Sequence, residues 1–156
     1  MWTNESDWTG NYLGAGVGSV QFWVDNRSGI GSDIPLRIAL NGPGGWFASD
    51  AKITSDTVSG NEWGVLSFDL NPTEFTWIAG GTNDFNATLS DVNILEVLAA
   101  QNTPTLGGGG VLRGDLIASD LRFDSFSVGA SVPEPTSVSL ACLSALGIAF
   151  RRKRNS

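Results

Sequence analysis

Sixteen carboxylates, six tryptophans, one cysteine and no histidine are the chemical repertoire of these 156 residues. Without histidine there is no Ser-His-Asp or Cys-His nucleophilic site, no ordinary neutral-pH general base and no histidine-ligated zinc. The lone Cys142 cannot staple the chain internally, so the fold must rest on its core. Paired carboxylates remain as the main enzymatic route, in the manner of glycoside hydrolysis. Glu5-x-Asp7 starts like an E-x-D-x-x-E strand pattern, but position 10 is Gly10 and the second glutamate is missing. The other acids are spread over turns and strand ends, where carboxylates are ordinarily solvated. Gly107–Gly110 lacks a following Gly-Lys-Ser/Thr, and Gly14-Ala15-Gly16-Val17-Gly18 breaks dinucleotide spacing, so neither cradles phosphate. No D-x-D-x-D-G run marks a calcium loop. The residues therefore predict no catalytic site, no metal and no cofactor.

The tryptophans carry the remaining binding chemistry. All six lie within the first 77 residues, and exposed indole faces on a sheet can stack on sugar rings. Trp23 shares the polar side of its run with Gln21 and Asp25 and is the first candidate carbohydrate contact. Trp46, expected in the glycine-rich loop of Asn41-Gly42-Pro43-Gly44-Gly45, is the second. Core or edge packing is the competing role for most of the six. Two lysines and seven arginines against sixteen carboxylates argue against a nucleic-acid partner.

Those residues must be positioned by strands. Val20, Phe22 and Val24 alternate with Gln21, Trp23 and Asp25; Leu36, Ile38 and Leu40 alternate with Arg37 and Ala39. Leu66, Phe68 and Leu70 alternate with Val65, Ser67 and Asp69, and Phe75–Ile78, Val111–Ile117 and Leu121–Val128 read as further strands. Glycine clusters punctuate the turns, and Gly107–Gly110 reads as a flexible loop. Only Ser90–Gln101 has helical spacing, with Ser90 or Asp91 as cap. Its Val92, Ile94 and Val97 favour a short turn followed by a strand. The expectation is an all-β, jelly-roll-like antiparallel β-sandwich over residues 1–130, followed by a single C-terminal hydrophobic helix.

The last residues differ from the rest. Residues 1–132 carry fifteen acids and five bases, net −10, whereas residues 133–156 carry one acid and four bases, net +3. Thr136–Phe150 is uncharged and mostly apolar, preceded by Pro133-Glu134-Pro135 and followed by Arg151, Arg152, Lys153 and Arg154. Fifteen helical residues reach ~22 Å against a hydrocarbon core of about 30 Å, short for a span unless snorkelling and thinning assist. The basic cluster would stay cytoplasmic and place the acidic body outside. A core helix with a basic end is the alternative, but this stretch lacks the polar face such a helix needs.

Pro-Glu-Pro, a short apolar helix and an arginine-rich terminus, in that order over residues 132–154, resemble the PEP-CTERM sorting signal of bacterial exported proteins. The resemblance implies a sorting segment at 131–156 with a transmembrane helix at about 136–150. It also implies processing by an exosortase that recognises Pro133, Glu134 and Pro135, and a host that makes exopolysaccharide. The prolines keep that stretch extended and open to a processing enzyme. Residues 1–7 are polar and acidic, with no secretory signal peptide, so the reading frame is expected to start upstream.

Trp8-Thr9-Gly10-Asn11-Tyr12 with Gly16-Val17, Gly44-Gly45-Trp46-Phe47, Leu89-Ser90-Asp91-Val92 and the closing Leu121-Arg122-Phe123-Asp124-Ser125-Phe126 also resemble PEP-CTERM ectodomains and galactose-binding-like or carbohydrate-binding jelly rolls. That resemblance implies one or two strands before Trp8, and their absence here would leave an exposed edge. The reading that follows is an exported, non-catalytic cell-surface or matrix protein, held transiently at the membrane through its C-terminal helix. Its expected partners are an exosortase and extracellular polysaccharide. The alternatives are a secreted carbohydrate-active enzyme with an unrecognised carboxylate pair, and a stably anchored structural protein whose tail stays uncut. Asn4-Glu5-Ser6 and Asn86-Ala87-Thr88 match the glycosylation sequon by chance.

Overall fold

The computed structural model describes residues 2–4, 8–27, 33–54, 63–115 and 120–130, the first three by backbone alone. In chain order the strands are β1 (Trp2–Asn4), β2 (Val17–Asn26), β3 (Pro35–Gly42), β4 (Gly45–Ser49), β5 (Lys52–Ile53), β6 (Trp63–Asp69), β7 (Phe75–Ala79), β8 (Ile94–Ala99), β9 (Thr105–Leu106), β10 (Leu112–Arg113) and β11 (Leu121–Ala130). A six-stranded sheet has the order β1-β8-β3-β4-β7, with β5 paired to β3. A three-stranded sheet has the order β11-β2-β6, and β9 and β10 form a separate hairpin. Every pairing is antiparallel.

Period-2 alternation explains how the two larger sheets meet. In β2, Val20, Phe22 and Val24 are fully buried. They join Leu66 and Phe68 of β6 against Leu36, Ile38 and Leu40 of β3, Phe47 of β4, and Leu95 and Val97 of β8. The shared core makes the body a two-layer sandwich. Phe22 lies at its centre, with ring centroids of Phe68, Phe123 and Phe126 at 5.8, 5.6 and 5.0 Å. These tilted and offset arrangements are the ones aromatic quadrupoles favour.

The six-stranded sheet is buried on its other face as well. Ala39, Trp46, Ala48 and Leu98 pack there with Leu112, which the β9–β10 hairpin contributes. Gly107 N–H donates to the Val111 carbonyl at 2.9 Å, and Gly109 and Gly110 take positive φ values of 87° and 82°. The four-glycine run is thus the turn of that hairpin. On the same face Arg37 donates to the carbonyls of Ala100, Ser49 and Gln101 at 3.0, 2.6 and 3.0 Å, tying β3 to the chain beyond β4 and β8.

The structure revises several local expectations. The helix lies earlier than its spacing suggests: α1 covers Phe85–Ser90, and Asp84 Oδ1 caps it by accepting from Asn86 N and Ala87 N at 2.9 and 3.2 Å. Asp91 closes that helix instead of opening one. Ile94–Ala99 is the strand its β-branched residues favour. Six residues are too few to display a helical period, so only the cap could have signalled α1. Strand structure in Val111–Ile117 is confined, among the described residues, to Leu112 and Arg113. A strand does precede Trp8, contrary to expectation, because Trp2–Asn4 pair with Leu95–Val97 at one edge of the larger sheet.

Candidate functional site

The outer face of the three-stranded sheet is the surface on which the predicted chemistry gathers. Its rows follow from register: Arg122 opposes Asp25, which opposes Trp63; Asp124 opposes Trp23, which opposes Val65; Ser127 opposes Gln21, which opposes Ser67. These residues alternate with the core-facing Phe22, Val24, Leu66 and Phe68, so all point away from the other sheet. Trp23 and Trp63 are each 43 % exposed and Val65 37 %. The two tryptophans are diagonal neighbours, about 7–8 Å apart, a spacing that aromatic side chains bridge. Trp23, Trp63 and Val65 together form an apolar area on this otherwise polar face.

Polar groups surround this aromatic pair. Asp25 is fully buried although it lies on the outer face, in the row between Trp63 and Arg122. Its Oδ2 accepts from Arg27 Nε at 2.6 Å, while Oδ1 has no hydrogen-bond partner among the described residues. Asp124 Oδ1 accepts from the Ser125 amide at 2.7 Å, beside a bulge where Ser125 takes φ 51°. Bulges of this kind re-aim neighbouring side chains and blunt an edge strand.

A cavity lies at the Ser19–Asp69 end of this sheet, between it and α1. About 620 Å³ in volume, the cavity is lined by Leu13, Val17, Ser19, Asp69, Leu70, Asn71, Asn86, Leu89 and Ala130, among others. Ser19 and Asp69 oppose each other two residues beyond the Gln21–Ser67 pair and so belong to the same face. Leu13 and Gly16 bring the 8–16 segment to the cavity, and that segment is held by Gly10 and Val92 exchanging amide–carbonyl bonds at 2.8 Å. Tyr12 N–H also donates to the Leu89 carbonyl at 2.9 Å, and its hydroxyl to the Trp8 carbonyl at 2.7 Å. Burial pushes the Tyr12 phenol up to about 12.

Of the two tryptophans singled out by sequence, Trp23 stands on this face and Trp46 does not. Trp46 is only 5 % exposed. It lies within β4, opposite Asn41, rather than in a loop. The glycines before it make a tight turn, so the strand has already begun at Gly45, and the β9–β10 hairpin covers the indole. Trp63 takes the second position, and the signal for it was present: the series Val65, Ser67, Asp69 extends one step back to Trp63. Trp8 packs near Phe126 with ring centroids 6.0 Å apart, and Trp77 is an edge residue of β7 whose Nε1–H donates to the Gly80 carbonyl at 3.0 Å. Glu5, Asp7, the Pro133-Glu134-Pro135 motif, the apolar stretch 136–150 and Arg151, Arg152, Lys153 and Arg154 lie outside the described residues. No helix among the described residues is long and apolar enough to cross a membrane. No group of three or more His, Cys, Asp or Glu side chains placed to hold a metal occurs among them either.

Residues 131–154 match the PEP-CTERM protein-sorting motif. This motif supports sorting through the exosortase pathway, implies processing by an exosortase and is consistent with an exported, extracytoplasmic protein. No curated protein and no solved structure matches the chain significantly.

Proposed function

We propose that the sandwich is a non-catalytic, jelly-roll-like carbohydrate-binding module, which the sorting segment delivers to the cell envelope or the surrounding matrix to hold polysaccharide. The observation that carries this reading is the pair of exposed indoles, Trp23 and Trp63, on adjacent strands of one open sheet face. A sugar ring presents C–H groups on its faces and hydroxyls at its edges. Flat aromatic surfaces match the former, and the neighbouring Gln21, Ser67, Ser127 and Arg122 supply donors and acceptors for the latter. A chain that already carries an export signal meets polysaccharide outside the cell, so the sorting motif supports the same reading. In this reading the Pro133–Pro135 segment is the exosortase recognition element. The apolar 136–150 stretch and the Arg151–Arg154 cluster then hold the chain in the membrane until it is cut.

The test is retention of the full chain on exopolysaccharide purified from a producing bacterium. Each indole contributes about 0.5–1.5 kcal/mol beyond simple burial, so Trp23→Ala and Trp63→Ala each weaken binding by about two- to tenfold. Trp46→Phe, a change inside the fold, leaves it unaltered. Equal retention of the wild type and the Trp23/Trp63 double variant removes the module from the account. Release of reducing sugar by the wild type would instead favour a carbohydrate-active enzyme.

A further inference from the structure

We infer that the cavity is the seat for the terminal residue of an uncharged glycan, and that the chain of that glycan runs along β2 from the cavity to the two tryptophans. This rests on the carbohydrate-binding reading above and deepens it.

Three observations converge. First, the cavity volume of about 620 Å³ lies within the range of pockets that enclose small organic ligands. Second, its lining is amphipathic in the way a sugar is. Leu13, Leu70 and Leu89 offer apolar wall, while Ser19, Asn71 and Asn86 bring hydroxyl and amide groups. The one ionisable group lining it is the carboxylate of Asp69, and no lysine or arginine among the described residues joins it. Such a lining repels a uronate or a sulfated sugar and accepts a neutral one. The acidic body, with fifteen acids and five bases over residues 1–132, acts in the same sense.

Third, cavity and aromatic pair lie on one track. Along β2 the row of Trp23 is followed by that of Gln21 and then by that of Ser19, which lines the cavity opposite Asp69. Four residues of strand separate Trp23 from Ser19, ~13 Å. A pocket alone would suit a free monosaccharide, and a flat aromatic face alone would suit the middle of any polymer. Their alignment suits an oligosaccharide whose inner rings stack on indole and whose last ring enters the cavity, with Gln21, Ser67 and Ser127 meeting the hydroxyls between.

The experiment titrates the full chain calorimetrically with neutral linear hexaoses of gluco, manno and galacto configuration, and with hexagalacturonate as the anionic counterpart. The same proteins are then tested for retention on the parent insoluble polymers, which expose few chain ends. Asn86 is an exposed position on α1, so Asn86→Trp plugs the cavity mouth without touching the core. A thermal melt confirms that each variant is folded. The expected result is a neutral hexaose whose affinity falls at least tenfold in Asn86→Trp and about two- to tenfold in Trp63→Ala, with Asn86→Trp weakening retention on long polymer less than it weakens hexaose binding. Hexaose affinity within twofold of wild type in folded Asn86→Trp overturns the cavity assignment. So does an equal loss on hexaose and polymer, which would make the cavity a seat for internal rings. Tighter binding of hexagalacturonate than of every neutral hexaose overturns the charge assignment. Absence of binding to any hexaose or polymer overturns the carbohydrate reading itself.

Discussion

Tyr12 is the only tyrosine in the chain, so its ionisation can be read without interference from any other phenol. It sits in the sandwich core, its hydroxyl donating to the Trp8 carbonyl at 2.7 Å, and its backbone joins the segment that walls the cavity to Leu89. Burial disfavours the phenolate and raises the pKa from 10.0 to about 12. Folding therefore tightens the hold on this proton roughly a hundredfold. In the unfolded chain the phenol loses its proton near pH 10, whereas the folded chain keeps it. Between about pH 10 and about 12 the folded state binds more protons than the unfolded one, so stability falls as pH rises through that window and is unaffected by Tyr12 below it. The assay is a titration of phenolate absorbance with far-ultraviolet circular dichroism followed on the same samples. The expected result is no phenolate signal at pH 10.5 in the folded protein, and a midpoint near pH 12 or an abrupt rise coincident with loss of the strand signal. Tyr12→Phe costs about 1 kcal/mol for the lost hydrogen bond and abolishes the Tyr12 share of the alkaline destabilisation. A phenolate midpoint near pH 10 with an unchanged dichroism spectrum would refute the argument, since it would mean that the 8–16 segment does not bury Tyr12 in solution.

Three further perturbations examine other parts of the fold. Phe22→Ala removes the ring at the centre of the aromatic cluster and should lower the free energy of unfolding by about 3–5 kcal/mol in a denaturant titration. Gly44→Ala places a Cβ against the Asp84 carbonyl and the Thr88 hydroxyl, where the β3–β4 turn meets the cap of α1; its expected cost is on the order of 1–3 kcal/mol by the same titration. Mass spectrometry of the exported protein should show a C-terminus that lacks Arg151, Arg152, Lys153 and Arg154, and an intact terminus would mean that the sorting segment is retained.

The parts of the fold that were legible in the sequence are those governed by one face of one strand. Val20, Phe22 and Val24 announce an inward face because water rejects all three at a spacing only a strand can satisfy. What lies outside that face depends on whatever packs there, which alternation cannot report. Ala39 and Trp46 occupy such positions, and a hairpin of two short strands seventy residues along the chain covers them. Trp23 and Trp63 occupy equivalent positions on the other sheet, where they remain exposed. Local pattern could not separate Trp23 from Trp46, because Trp46 is buried in a cluster that joins its own sheet to Leu112, far along the chain. The cavity was illegible for a similar reason. Its lining comes from four stretches of chain that meet only after the two sheets have paired.

The register of β11 relates the sheet face to the sorting segment. Leu121 opposes Asn26 at one end of β2 and Ala130 opposes Val17 at the other, so the chain leaves the sandwich at the cavity end. Asp124, opposite Trp23, lies six residues before Ala130, ~20 Å along the strand. The sorting motif begins at residue 131, the position after Ala130. In sequence the motif thus follows the end of β11 that lies by the cavity, whereas the indoles stand toward the other end of the sheet.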